Sequence, residues 1–114
     1  MEASTYGLTS YERGGELIAV TGYQLMWDGV AWAFALVDRS RAAGAGAELA
    51  ASVRRILAEQ MAQSGVHRVQ ACCNPDDPPT RVFLRACGFR LESRMKRAAP
   101  GGGDLLMMTI VTGD

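Results

Sequence analysis

The sequence predicts a mixed α/β domain in which helices cover a mixed, mostly antiparallel sheet, with elements in the order β-β-β-α-β-α-β-β. Three observations carry this. Gly-containing turns, Arg13-Gly14-Gly15-Glu16 and Asp28-Gly29, separate runs rich in β-branched and aromatic residues. After Val37 the apolar period changes abruptly from strand-like to helical. Beyond the helix, strand-like and helix-like runs follow one another, so the later strands are reached through crossovers. With 114 residues and no linker, repeat or low-complexity tract, the chain reads as a single domain over 1–114.

Thr5 to Glu12 is expected as a short strand, and the Gly-rich turn makes it one arm of a hairpin. Leu17 to Trp27 forms the other arm, with Gly22 inside it predicting a bulge or a close backbone approach. Val30 to Val37 is almost wholly apolar, the pattern of a central strand buried on both faces. From Ala47 to Gln63, Leu49, Val53, Ile56, Leu57 and Met61 recur at spacings of three and four, which predicts an amphipathic helix ended by Gly65. Val66 to Cys73 reads as a strand parallel to the buried one. Asp77 is placed to cap a helix over Pro79 to Cys87 that offers Val82, Phe83 and Ala86 to a core. Phe89 to Lys96 alternates like a half-solvated strand, Pro100 to Asp104 turns the chain, and Leu105 to Val111 returns as a buried strand.

Composition narrows the function. Twelve Lys+Arg balance twelve Asp+Glu, so no whole-protein field favours nucleic acid or an acidic membrane as a partner. No run of about 20 apolar residues occurs, and Met1 to Tyr6 lacks the basic and apolar segments of a signal peptide; a cytoplasmic protein is expected. Cys72, Cys73 and Cys87 are odd in number, lack Cys-x-x-Cys spacing and accompany one His, so no metal is expected and the thiols read as inert core. Arg81, Arg85, Arg90, Arg94, Lys96 and Arg97 read as a solvated face rather than as a contact for a phosphate, an acidic acceptor or a nucleic acid.

The stretch that points to chemistry is Arg41-Ala42-Ala43-Gly44-Ala45-Gly46, between the buried strand and the long helix. Small residues let backbone amides approach a ligand, and the first helical turn adds orphan donors and the positive end of its dipole. That combination suits a phosphate, with Arg39 and Arg41 adding charge. The same glycines serve equally well in a tight strand-to-helix turn. No Gly-Lys-Ser/Thr follows, which excludes a nucleoside triphosphate loop, and Leu49 stands where a dinucleotide fingerprint needs its third Gly.

Arg-x-x-Gly-x-Gly at that junction, followed by strand, helix, Cys-Gly-Phe, strand, Gly-rich turn and strand, resembles the GCN5-related N-acetyltransferase (GNAT) superfamily from about Thr5 to Val111. The resemblance implies an acyl-CoA-dependent N-acetyltransferase that uses acetyl-CoA as cosubstrate and an amine as acceptor. It places the pyrophosphate on the backbone of Arg41, Ala42, Ala43, Gly44, Ala45 and Gly46. It places the pantetheine along Phe34 to Val37, Leu36 and Val37 included, in a slot where that strand splays from the next. Asn74 matches a family Asn that faces the cofactor.

The position of the family's acidic Tyr holds Leu84, with Phe83 beside it, and Val30 to Val37 carries no ionisable side chain. Asp28 and Tyr23 are the remaining catalytic candidates, followed by Glu16, His67 and Tyr11. The family's usual first strand and two helices have no counterpart in this reading. An apolar sheet face near Tyr23, Trp27 and Trp32 is therefore expected to be exposed, and with it self-association or docking to a larger assembly. Short, Arg-rich chains of this pattern also resemble GNAT-like proteins encoded by bacteriophages and prophage-like elements. The alternative function is thus a catalytically silent interaction or virion protein on the same fold.

Overall fold

The computed structural model describes residues 2–5, as backbone, and residues 8–113. Its strands are β1 (Glu2–Thr5), β2 (Leu8–Arg13), β3 (Glu16–Trp27), β4 (Val30–Val37), β5 (Arg68–Cys73), β6 (Arg90–Met95) and β7 (Leu105–Val111). The helices are α1 (Gly46–Ser64) and α2 (Pro78–Ala86). The strands form one sheet in the order β1-β2-β3-β4-β5-β7-β6, in which the β4–β5 pair is parallel and the other pairs antiparallel. Both crossovers, β4-α1-β5 and β5-α2-β6, step across the sheet in the same direction. Right-handed connections therefore put both helices on one face, and α1 and α2 touch each other there.

Local chemistry explains the elements. Gly14 and Gly15 both have positive φ, 60° and 82°, which two-residue hairpin turns of the I′ kind require. Leu49, Val53, Ile56, Leu57 and Met61 are all buried on α1, each contributing about 1.5–3 kcal/mol through apolar burial. Gly65 ends the helix in the left-handed conformation, its amide donating to the Met61 carbonyl. Asp77 caps α2 by accepting from the Thr80 amide. The core lies between α1 and the sheet, where Ala31, Val69 and Met108 are fully buried.

Several expectations change. The single strand foreseen over Thr5 to Glu12 is two, β1 and β2, paired antiparallel; Tyr6 and Gly7 lie outside the described residues. Gly22 keeps regular pairing with Leu8 and Phe34, and the register shifts instead at Ile18, between the Tyr11–Ala19 and Glu12–Leu17 pairs, and between Leu25 and Trp27, just before the Asp28-Gly29 turn. On α2, Val82 is 65% exposed and Ala86 is exposed. Phe83 turns inward as expected, but its companions on that face are Leu84 and the buried Cys87, a stripe one residue further along the helix. β6 does not alternate: five of its six residues are exposed, as befits an edge strand broken by a bulge between Leu91 and Ser93. The basic residues from Arg85 to Arg97 named above are exposed, Arg94 pairing with Asp104 at 2.7 Å.

β4 departs most from expectation. It is central, yet only Val30 and Ala31 are buried and Trp32 and Ala33 half-buried; Phe34 is exposed and Leu36 is 70% exposed. The reason is its pairing with β5.

Candidate active site

β4 and β5 pair at Val30–Arg68, Ala31–Val69 and Trp32–Gln70, and there the pairing stops. Beyond that point β4 stays with β3 through Val37, while β5 stays with β7 through Cys73. The two strands therefore part. Along residues 33–37 the β5-facing edge of β4 has no strand partner, and alternate residues present N–H and C=O groups to the gap.

The gap is the floor of a cleft of ≈ 490 Å³. Ala33, Phe34, Ala35, Leu36 and Val37 line it from β4, with Thr21 and Gly22 beside them on β3. Gly46, Leu49, Val53 and Leu57 form one wall, a single stripe of α1 at spacings of three and four. Pro79, Thr80, Phe83 and Leu84 of α2 form the opposite wall. The small side chains of Ala33, Ala35 and Ala71 leave the room, and the walls are mostly apolar.

At the mouth lies the loop from Asp38 to Ala45. Asp38 Oδ1 accepts from the amides of Ser40 and Arg41, both at 3.1 Å, and from Ser40 Oγ at 3.0 Å. These bonds, the Arg41 amide foremost, hold the Asp38 carboxyl below its ordinary pKa. The Ala42 amide donates to the Asp38 carbonyl, Ala43 to Ser40, and Ala45 to Ala42. Arg13 reaches over from β2 and donates to the Ala43 carbonyl at 2.6 Å. Thus the amides of Arg41, Ala42, Ala43 and Ala45 are engaged within the loop. Among the described residues, those of Gly44, Gly46, Ala47 and Glu48 have no protein partner, and Ala45, at the N-cap of α1, supplies no side-chain cap.

The arginines separate. Arg39 lines the cleft and pairs with Asp77 at 3.6 Å. Arg41 pairs with Glu16 at 3.5 Å and Asp38 at 3.6 Å and is not part of the lining. Asn74 is outside the lining too: its Oδ1 accepts from the Asp76 amide at 2.9 Å, closing a turn that leads into α2.

The catalytic candidates are scattered. Asp28 is exposed in its turn, and Tyr23 is half-buried against the core; neither lines the cleft. Glu16 is exposed at the β2–β3 hairpin, and exposed His67 donates its amide to the Gly29 carbonyl. Tyr11 is buried, but its phenol shares a 3.1 Å hydrogen bond with Thr21 Oγ1, and Thr21 lines the cleft. Sequence reasoning missed Thr21, since nothing in a strand sequence reveals which hydroxyl its neighbour orients. The thiols offer no base. Desolvation raises the pKa of Cys72 and Cys73 and pushes that of buried Cys87 up to about 12. Among the described residues no His/Cys/Asp/Glu group could hold a metal, and no helix is long and apolar enough to cross a membrane.

No family model matches the chain, and no curated protein matches it in sequence. Solved structures do match. An acetyltransferase of the GNAT family from Bacillus anthracis superposes with a TM-score of 0.80 at 16% identity, over 95% of this chain and 68% of that one. The ribosomal-protein-S5-alanine acetyltransferase of Vibrio fischeri gives 0.72 at 19% identity, over 88% of this chain and 57% of that one. A ribosomal L7/L12 alpha-N-protein acetyltransferase in complex with coenzyme A gives 0.78 at 20% identity, over 94% and 63%. The chain thus spans 57–68% of the length of these three proteins. Its strand order, its parted central strands and these superpositions together establish that the chain has the GNAT acetyltransferase fold.

Proposed function

We propose that the chain binds an acyl-CoA, acetyl-CoA being the simplest, in the cleft between β4 and β5 and transfers the acyl group to an amine. The observation that carries this reading is the meeting of two unpartnered hydrogen-bonding surfaces on one cleft: the β4 edge over residues 33–37 and the first-turn amides of α1. The residues fit the group. A diphosphate suits the amides of Gly44, Gly46, Ala47 and Glu48 and the positive end of the α1 dipole, an arrangement that contributes about 0.3–2 kcal/mol. Leu36 and Val37 belong to the edge that would bond an extended, amide-bearing arm as a further strand does. Bound there, the thioester supplies an acyl carbon open to attack by an amine.

The chain's own part is positioning. Leu49, Val53, Leu57 and Phe83 exclude water from the arm, and the β4 edge fixes its direction, so reactants are held in place rather than driven by a strong acid or base. Thr21, oriented by Tyr11, is a hydroxyl on the lining able to donate a hydrogen bond. The amine therefore has to arrive in its neutral form. Trp27, 63% exposed at the β3–β4 turn, supports self-association or docking at that end of the sheet, away from the cleft that Phe34 and Leu36 line; Trp32 and Tyr23 are half-buried.

A melting curve with and without acetyl-CoA tests binding, and release of free thiol with a panel of amines tests transfer. An unchanged midpoint overturns the reading. Stabilisation without thiol release from any amine replaces it with the alternative, a protein that binds acyl-CoA but is catalytically silent.

A further inference from the structure

We propose that Arg39 and Asp77 form an electrostatic latch across the mouth of the cleft, and that Arg39 exchanges Asp77 for a phosphate group of the entering ligand. The inference rests on the acyl-CoA reading above and adds the residue pair that governs entry. Arg39 belongs to the loop leaving β4, and Asp77 is the N-cap of α2, so their ion pair ties one rim of the cleft to the other. Three features show that the pair is built to open. Its separation is 3.6 Å and the Arg39 side chain is 74% exposed, which makes it a weak, solvent-screened contact. Asp77 is satisfied without Arg39, since Oδ2 accepts from Thr80 Oγ1 at 2.6 Å and Oδ1 from the Thr80 amide at 3.3 Å. Arg39 is also the guanidinium found among the cleft-lining residues, whereas Arg41 is held by Glu16 and Asp38, and Arg13 by loop carbonyls.

A phosphate offers Arg39 more charge and a bidentate geometry, so it outcompetes the carboxylate. Asp77 acts in the opposite sense. Its charge at the mouth repels an incoming phosphate and, in the closed state, occupies the arginine.

This gives the two residues opposite signs. Arg39→Gln should weaken coenzyme A binding about 3–10-fold, equivalent to about 0.7–1.4 kcal/mol, because a charge-assisted bond to phosphate is stronger than an exposed carboxylate pair. Asp77→Asn should tighten it about 2–5-fold, because Asn caps a helix as well as Asp does but carries no charge. Calorimetric titration of the full chain with coenzyme A at about 50 mM salt measures both, and raising the salt should shrink both effects. Dephospho-coenzyme A in the same titration identifies the phosphate: an Arg39 effect that vanishes assigns the 3′-phosphate, and one that persists assigns the diphosphate. If the pair is only a brace, both substitutions shift affinity in the same direction, which overturns the latch and leaves the acyl-CoA reading standing. Equal affinity in all three proteins does the same. A wild-type chain that binds no coenzyme A overturns both.

Discussion

Gly46→Val separates a cleft that receives a ligand from a turn that merely joins two elements. An ideal Cβ on Gly46 would meet nothing within 4 Å, and the residue opens α1 while lining the cleft. The fold can therefore accept a side chain there. Replacing Gly where no strain follows removes unfolded-state freedom and stabilises by about 0.4–1 kcal/mol, so the ligand-free variant should melt at or slightly above the wild-type temperature. The ligand would meet the new methyl groups where its diphosphate should lie. For the wild type, acetyl-CoA at about 100 times its Kd contributes about 2.7 kcal/mol. A chain of 114 residues has an unfolding entropy of about 0.24 kcal/mol/K, so this raises Tm by about 11 °C. In Gly46→Val that rise should fall to about 2 °C or less at the same concentration. Differential scanning fluorimetry with paired ligand-free and loaded samples reads both numbers. An undiminished rise in the variant would show that α1's first turn does not hold the ligand; a collapsed ligand-free Tm would show that the glycine is structural.

Three further outcomes are expected. Asp38→Ala removes the acceptor for the Ser40 and Arg41 amides and should weaken coenzyme A binding, with Asp38→Asn restoring most of it, as titration of the three proteins would reveal. No carboxylate or imidazole lines the cleft and its thiols are pushed upward, so log kcat/KM should climb with a slope of about 1 between pH 6 and 9, following the neutral fraction of an amine with pKa about 10.4. A bell-shaped profile would refute transfer by positioning alone. Cys87 keeps its proton up to about pH 12 in the fold but loses it near 9 when unfolded, so the unfolded state binds fewer protons between those values and stability falls as pH rises. Urea titrations from pH 8 to 11 should show the wild type losing about 1 kcal/mol more per pH unit above 9 than Cys87→Ala, and parallel curves would contradict the assignment.

What could be read in the residues was whatever depends on local periodicity. The α1 stripe, its Gly65 terminus, the Asp77 cap and the β7 run all follow from spacings within a few residues, and all are present. The loop into α1 was legible as a place where amides meet a helix start. Which amides remain open was not, because that depends on the Asp38 carboxylate folding back on Ser40 and Arg41 and on Arg13 arriving from another strand. β4 misled for a related reason. An apolar run looks the same whether helices bury all of it or its second half borders a cleft, and only the partner's path decides. On α2 the apolar pattern points to Val82, Phe83 and Ala86, one residue before the stripe of Phe83, Leu84 and Cys87 that faces inward, so Leu84 and Thr80 do not stand out as wall residues.

Joining at three residue pairs makes the sheet two leaves on a short hinge, β1 to β4 on one side and β5, β7 and β6 on the other. α1, tethered to both, is the spring between them. Anything lying along the open edge of β4 would splint the leaves together, so occupancy should slow amide exchange in both at once, far beyond the atoms it touches.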